Sequence, residues 1–162
     1  MSVHLSVRVD EPGHAAYAEQ AWRLKEQIRR REGVLKQRQQ FFFSAYRRSR
    51  SHLLVDGDRL AGFACVRHDG YILFLAVAGW ARGEGYGTEL VRRAMSDHDR
   101  VSVHVRVSNA GAIGFYEALG FQQVRRITSY YEDGGDAFYL RLGEGGSLRD
   151  RMSDILRRTW PC

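Results

Sequence analysis

The sequence predicts one α/β domain with a mixed, mainly antiparallel sheet of six to seven strands flanked by helices. Two observations support this class. Runs of alternating or continuous apolar residues, typical of strands, are interleaved with runs whose apolar residues recur at helical spacing. Two Asp-Gly pairs separate neighbouring strand-like runs and predict hairpins, hence antiparallel neighbours. At 162 residues, the chain is long enough for one domain with a sizeable core.

The N-terminal part of the chain predicts one strand, two helices and three further strands. Val3–Val9 alternates apolar and polar residues, so it predicts a strand with one buried face. A first helix is expected to start near Asp10 and Pro12 and to end at Gly33. The elements that follow are a helix over about Val34–Arg47 and strands at His52–Val55, Leu60–Arg67 and Tyr71–Ala78.

The rest of the chain alternates helices and strands and ends in a hairpin and a tail. We expect the domain to cover residues 1–143 and residues 144–162 to form a C-terminal helix, because apolar residues recur at helical spacing in that tail. Within the domain the predicted elements are a helix from about Tyr86, a strand at Val101–Val107, a helix from Ser108 or Asn109 to Gly120, and strands at about Phe121–Tyr131 and Asp136–Leu142.

Composition and charge narrow the classes of partner. The formal net charge is +6, and arginine clusters favour polyanions, among them RNA, ribosomes, acidic peptides and coenzyme A, over a polycationic substrate. No apolar run approaches the ~20 residues of a membrane span, and the N-terminus has no apolar core of signal-peptide type. Cys65 and Cys162 form neither a disulfide framework nor a metal-ligand spacing. We therefore expect a cytoplasmic protein that uses no metal and contacts no membrane.

A glycine-rich turn follows the predicted strand Tyr71–Ala78 and precedes a helix, an arrangement typical of a phosphate-binding loop. The dinucleotide-binding fingerprint does not fit, because Thr88 stands where its third glycine is needed and Arg106 and Val107 stand where its acidic residue is needed. The nucleotide P-loop motif does not occur anywhere in the chain. The remaining pattern is Arg82-x-x-Gly85-x-Gly87, for which a simple turn is the alternative.

Two motifs together resemble the GNAT superfamily of N-acyltransferases. The glycine loop is similar to its acetyl-CoA pyrophosphate loop, and the run from Asn109 to Phe121 resembles its helix motif, with Ala112, Tyr116 and Gly120 in place. The resemblance covers about Val3–Leu142 and implies an acetyl-CoA-dependent enzyme in which Tyr116 donates a proton to the thiolate. The implied cofactor-binding residues are Leu75, Ala76, Val77, Arg82, Gly83, Glu84, Gly85, Tyr86, Gly87, Thr88, Asn109 and Tyr116.

Within that superfamily, the chain is most similar to RimI-like protein N-terminal acetyltransferases. Tyr130 and Tyr131 resemble the tyrosine pair that lines the peptide groove there. Tyr71 and His104 resemble the catalytic pair of a eukaryotic subgroup, in which both act as general bases through ordered water. One departure is Gly79, which stands where the family usually has proline and which loosens the turn.

The expected acceptor is the α-amine of a protein or peptide. Freeing the amine lone pair at pH 7 costs about 1.4 kcal/mol for an α-amine and about 4.6 kcal/mol for a lysine, and an imidazole base suits the first. Two alternatives remain open. A GNAT enzyme could acetylate a small-molecule amine or a protein lysine instead, and the basic clusters fit an RNA- or ribosome-binding module on the same fold.

Overall fold

The computed structural model describes residues 5–143, which form seven strands and four α-helices in the predicted order. The predicted C-terminal helix at residues 144–162 lies outside the described residues. The elements are β1 (Ser6–Asp10), α1 (Ala18–Glu32), α2 (Gln39–Arg47), β2 (Arg50–Asp56), β3 (Arg59–Val66), β4 (Ile72–Val77), α3 (Tyr86–Ser96), β5 (Val101–Arg106), α4 (Ala110–Ala118), β6 (Gln122–Ile127) and β7 (Ala137–Leu142).

The strands form two antiparallel sheets rather than the single sheet that the sequence predicted. One sheet has the order β1-β2-β3-β4 and the other the order β5-β7-β6. They meet at one parallel bridge between Tyr71 and Ser102, where the Ser102 N–H donates to the Gly70 carbonyl at 3.2 Å. Beyond this bridge, β4 and β5 diverge, and a cleft opens between them. The mixed α/β class is confirmed, and the sheet is divided because the ladder between β4 and β5 does not continue.

Gly70 makes this junction between the sheets possible. Its φ of +87° lies in the left-handed region, and a Cβ atom at this position would come within 2.1 Å of the Arg100 carbonyl oxygen. A side chain at position 70 would therefore push the start of β5 away from the β3–β4 hairpin.

The core is built on both faces of the first sheet. Every residue of β3 after Arg59 is buried, and both α1 and α3 contact this strand. Phe42 of α2 is fully buried and packs against Phe63 and Phe74 of the sheet, with ring centroids 6.1 and 4.8 Å away. Of the α2 aromatic residues, Phe42 and Tyr46 are therefore core residues, whereas Phe41 is 50% exposed.

The two N-terminal helices start later than predicted. The predicted helix start at Asp10 is wrong, because the buried Asp10 carboxylate ends β1 and accepts hydrogen bonds from the Tyr17 N–H and the Tyr46 hydroxyl. The second helix begins at Gln39 instead of Val34, because Leu35 has a φ of +55° that no helix accommodates. Residues 34–38 therefore form an irregular connection between α1 and α2. None of the helices between residues 5 and 143 is long and apolar enough to cross a membrane.

Candidate active site

The cleft between β4 and β5 has a volume of about 850 Å³ and brings most of the predicted site residues together. Its walls come from the facing strands, the glycine loop, α4, the end of α1 and the connection between α1 and α2. Leu75, Ala76 and Val77 of β4 line it, and Asn109 and Tyr116 line it from the opposite side. The diverging strand edges thus form a long groove with the glycine loop at one end.

The glycine loop has the backbone that an anion cradle requires. Gly83 and Gly85 have φ values of +81° and +82°, and Gly85 is the N-cap of α3. The Glu89 N–H donates to the Gly85 carbonyl at 3.1 Å, so the amides earlier in the first turn have no carbonyl within the helix to bond. Partial positive charge at this helix end favours a phosphate group.

The other predicted loop residues divide by their position. Arg82, Tyr86, Gly87 and Thr88 line the cleft, whereas Glu84 is exposed outside it. At Gly87, a Cβ atom would lie 3.1 Å from the Phe115 ring, so this glycine also lets α3 and α4 pack closely. Glu84 can therefore contribute to cofactor binding only through its backbone.

Arg82 is held at the mouth of the cleft by Glu32 of α1. Its guanidinium donates to both carboxylate oxygens, at 2.7 and 2.8 Å, and its Nε donates to the Val77 carbonyl at 3.2 Å. Glu32 was not predicted as a site residue from the sequence. A weak indication was available, because an acidic residue in the last turn of a helix is disfavoured by the helix dipole and needs a compensating partner.

Tyr71 and His104 form a direct pair, of which His104 lines the cleft and Tyr71 is not among the lining residues. The Tyr71 hydroxyl lies 2.6 Å from Nδ1 of His104, beside the bridge that joins the sheets. Burial lowers the pKa of His104, and the positive charges of Arg125 and Arg67 lower it further. Burial also raises the pKa of Tyr71 above its ordinary value, and a hydrogen bond with Tyr130 adds to that rise. Both groups are therefore neutral at pH 7.

The predicted pair of peptide-groove tyrosines is divided between two positions. Tyr131 lines the cleft and packs under the Arg106 guanidinium, which lies 4.0 Å from the ring centroid. Tyr130 is not among the residues that line the cleft. It stacks on the His104 imidazole instead, with centroids 4.3 Å apart and planes at 10°.

Tyr116 and Asn109 occupy α4 as the motif predicted. Tyr116 is only 5% exposed and packs between Phe115 and Phe121, and burial raises its pKa above the ordinary value. Its hydroxyl therefore keeps its proton at neutral pH. Asn109 is the N-cap of α4, because its Oδ1 accepts a hydrogen bond from the Ala112 N–H at 3.1 Å.

Asp133 lies in the β6–β7 loop, and the sequence did not predict it as a site residue. Its carboxylate lies 3.1 Å from Nζ of Lys36, in the connection between α1 and α2, and 3.0 Å from Arg106 of β5. It also accepts a hydrogen bond from the Gly135 N–H at 3.0 Å. The Arg106 guanidinium, with these other donors, holds the pKa of Asp133 far below its usual range. This carboxylate ties together the two loops that flank the cleft.

Comparisons with known proteins agree with this geometry. The model of the acetyltransferase (GNAT) family matches residues 15–121. An N-alpha-acetyltransferase MAK3 from Arabidopsis thaliana is 42% identical over 78 residues, which cover 45% of this chain and only 41% of that relative. The chain therefore spans less than half the length of this curated relative.

Solved structures show the same fold. The ribosomal-protein-S18-alanine N-acetyltransferase from Escherichia coli superposes with a TM-score of 0.71 at 22% identity, covering 88% of this chain and 97% of that one. A chain of the NatC complex bound to Gag peptide and CoA gives a TM-score of 0.69 at 22% identity, covering 88% of this chain and 99% of that one. With the family match across the glycine loop and the α4 motif, the chain belongs to the GNAT acetyltransferase family.

Proposed function

We propose that this protein transfers the acetyl group of acetyl-CoA to the N-terminal α-amine of a protein or peptide. The observation that carries the proposal is the Tyr71–His104 pair, whose imidazole lines the same cleft that ends in the glycine loop. One groove thus has a cradle for a phosphorylated cofactor and a neutral base for an amine. Likeness to N-alpha-acetyltransferases supports the choice of an α-amine.

The cleft fits acetyl-CoA in shape and in hydrogen-bonding character. The left-handed glycines and the start of α3 would hold the pyrophosphate, with Arg82 beside them. The edge of β4 at Leu75, Ala76 and Val77 would hold the pantetheine arm, since no β5 strand pairs with it there. Bound acetyl-CoA would supply the activated thioester carbonyl. Across residues 5–143 no three His, Cys, Asp or Glu side chains cluster as a metal site would need, and independence from metals stays a prediction.

The Tyr71–His104 pair is suited to remove the proton of an attacking α-amine. Neutral His104 has an unprotonated ring nitrogen, and Tyr71 can donate its hydroxyl proton to Nδ1 while it accepts one from the amine, directly or through water. An α-amine with a pKa near 8 is about one-tenth unprotonated at pH 7, so a base of this strength suffices. The amine nitrogen then bonds to the acetyl carbon as the carbon–sulfur bond breaks.

Tyr116 is the residue that can protonate the leaving thiolate. Its hydroxyl stays protonated because the side chain is buried, and its ring lines the cleft from α4. Tyr116 would therefore give its proton to sulfur while the Tyr71–His104 pair holds the proton of the amine. The two proton transfers use residues of different elements, so each can be tested alone.

A peptide series tests the acceptor class. We would present acetyl-CoA with peptides that carry a free α-amine and an internal lysine, with the same peptides blocked at the α-amine, and with polyamines. Mass spectrometry should find acetate on the α-amine of the free peptides and none on the blocked ones. Acetate on lysine Nζ only, or polyamines as the better acceptors, would favour the alternative acceptors.

Binding of RNA or ribosomes through the basic surface stays a prediction, for which a filter-binding assay is the measurement.

A further inference from the structure

Tyr130 covers one face of the His104 imidazole. The two rings are nearly parallel, with planes at 10° and centroids 4.3 Å apart, and Tyr130 itself is 43% exposed to solvent. Tyr130 thus stands between the imidazole and the solvent on this face. The position is different from that of Tyr131, whose ring lies perpendicular to it and lines the cleft.

Three tyrosines together enclose the imidazole. Tyr71 contacts Nδ1 through its hydroxyl, Tyr130 stacks on one face, and Tyr139 of the neighbouring strand β7 lies with its ring centroid 5.0 Å away. His104 and Tyr139 are paired residues of the antiparallel strands β5 and β7, so the backbone pairing holds the two side chains next to each other. Tyr130 is the one member of this enclosure that comes from a loop, the β6–β7 connection.

We infer that Tyr130 is a positioning residue, which holds the His104 ring against the Tyr71 hydroxyl and keeps water off it, and that Tyr131 is the member of the pair that contacts the acceptor. This inference rests on the proposed function for the role of His104. It assigns the two adjacent tyrosines to different tasks. Loss of the Tyr130 ring should change the titration of His104, whereas loss of the Tyr131 ring should change the binding of the acceptor.

The charges around the enclosure support a tuning role. Arg67 lies over the Tyr71 ring, 4.7 Å from its centroid, and Arg125 lies over Tyr139 at 5.4 Å. Asp69 forms two hydrogen bonds with Arg67, so part of that positive charge is neutralised. Beside these charged groups, the Tyr130 ring is the apolar surface that covers one face of the imidazole. An imidazole freed from it gains water and can accept a proton more readily.

The test follows His104 directly by NMR titration of the imidazole ring in the full chain without substrates. The His104 resonance is assigned by its loss in His104→Asn. We expect a pKa below the ordinary ~6.5 in the wild type and a rise toward ~6.5 in Tyr130→Leu. Tyr130→Phe keeps the stacked ring and removes only the hydroxyl that bonds Tyr71, and it should leave the titration close to that of the wild type because the ring is what covers the imidazole. Tyr131→Leu is the matched control and should not move it. Unchanged His52 and His98 resonances would show that the fold is retained.

Kinetics provide the second readout. Tyr130→Leu should lower kcat for a peptide by about tenfold, a part of the 10²–10⁴ that a positioned base contributes, with little change in the peptide KM. Tyr131→Leu should raise the peptide KM instead. A His104 titration that is identical in wild type and Tyr130→Leu, or a Tyr130→Leu effect confined to the peptide KM, would overturn the inference. The titration needs no turnover, so its result is independent of catalytic activity. A wild type that acetylates no α-amine would therefore contradict the proposed function but would not decide whether Tyr130 positions His104.

Discussion

The Tyr71 hydroxyl lies 2.6 Å from Nδ1 of His104, although 33 residues separate the two in the chain. The contact depends on the bridge between Tyr71 and Ser102, because Ser102 precedes His104 by two residues on the same strand. Residues two apart on a strand point to the same face, so the bridge fixes where the imidazole stands. The pair is therefore built into the junction of the two sheets and not into a loop.

The first prediction concerns the pH dependence of this pair. If neutral His104 accepts the amine proton, kcat/KM should rise with pH through the pKa of His104, which burial holds below the ordinary ~6.5. His104→Asn should remove this limb and lower kcat/KM by about 10²–10⁴. The separate limb of the α-amine near pH ~8 should stay in both proteins. Tyr71→Phe should lower kcat while the acetyl-CoA affinity stays unchanged. Identical pH profiles in wild type and His104→Asn would place the base elsewhere.

The second prediction tests the glycine loop with a pair of variants that differ in charge alone. A Cβ at Gly83 would meet no atom within 4 Å, and Asn and Asp both tolerate its left-handed φ of +81°. Gly83→Asp should weaken acetyl-CoA binding by at least about tenfold, because its carboxylate would lie beside the pyrophosphate. Gly83→Asn should bind almost as the wild type does. Calorimetric titration measures both. Equal affinities for the two variants would mean that the pyrophosphate is bound elsewhere.

Local patterns predicted most of the fold, and the failures share a cause. The strands and helices follow from periodicity and turns, and the N-cap of α4 was narrowed to Ser108 or Asn109, of which the structure has Asn109. The divided sheet could not be predicted, because it depends on where β5 meets the β3–β4 hairpin, a contact distant in sequence. The sequence could not predict the separate positions of Tyr130 and Tyr131 either. Neighbouring residues in a loop carry no periodicity that tells which ring faces the cleft.

The third prediction concerns stability in acid. Burial lowers the pKa of His52 to about 4, and its Nδ1 has no hydrogen-bond partner in the described part of the chain. The unfolded chain binds a proton at this residue below pH ~6.5, whereas the folded chain does so only near pH 4. The free energy of unfolding should therefore fall as the pH drops from ~6.5 to 4, by roughly 3 kcal/mol from this residue.

Denaturant unfolding of His52→Gln at several pH values checks this contribution. The variant cannot be protonated at this position, so its free energy of unfolding should fall less than that of the wild type between pH 6.5 and 4. His14→Gln removes an exposed histidine and is the control, which should follow the wild type. Parallel pH curves for wild type and His52→Gln would mean that His52 is protonated as easily in the folded chain as in the unfolded one.

The last prediction concerns the Asp133 carboxylate, which joins Lys36 of the α1–α2 connection to Arg106 of β5. Asp133→Asn keeps the side-chain shape and removes the charge, so the two flanking loops should separate more often. The peptide KM should rise by about threefold, a modest effect because exposed ion pairs are weak, while the acetyl-CoA KM stays unchanged. Glu132→Gln is the matched control. Its ion pair with Arg38 joins the same loops but is about 80% exposed on both sides and should contribute little.

Salt separates this electrostatic role from a steric one. Raising the ionic strength toward 1 M shortens the screening length to about 3 Å and should weaken the contacts of Asp133 with Lys36 and Arg106 in the wild type. The peptide KM of the wild type should then approach that of Asp133→Asn, whose own KM should change less. A difference between the two proteins that persists at high salt would contradict the electrostatic role of Asp133, because the side-chain amide oxygen in Asp133→Asn can still accept the hydrogen bond from the Gly135 N–H.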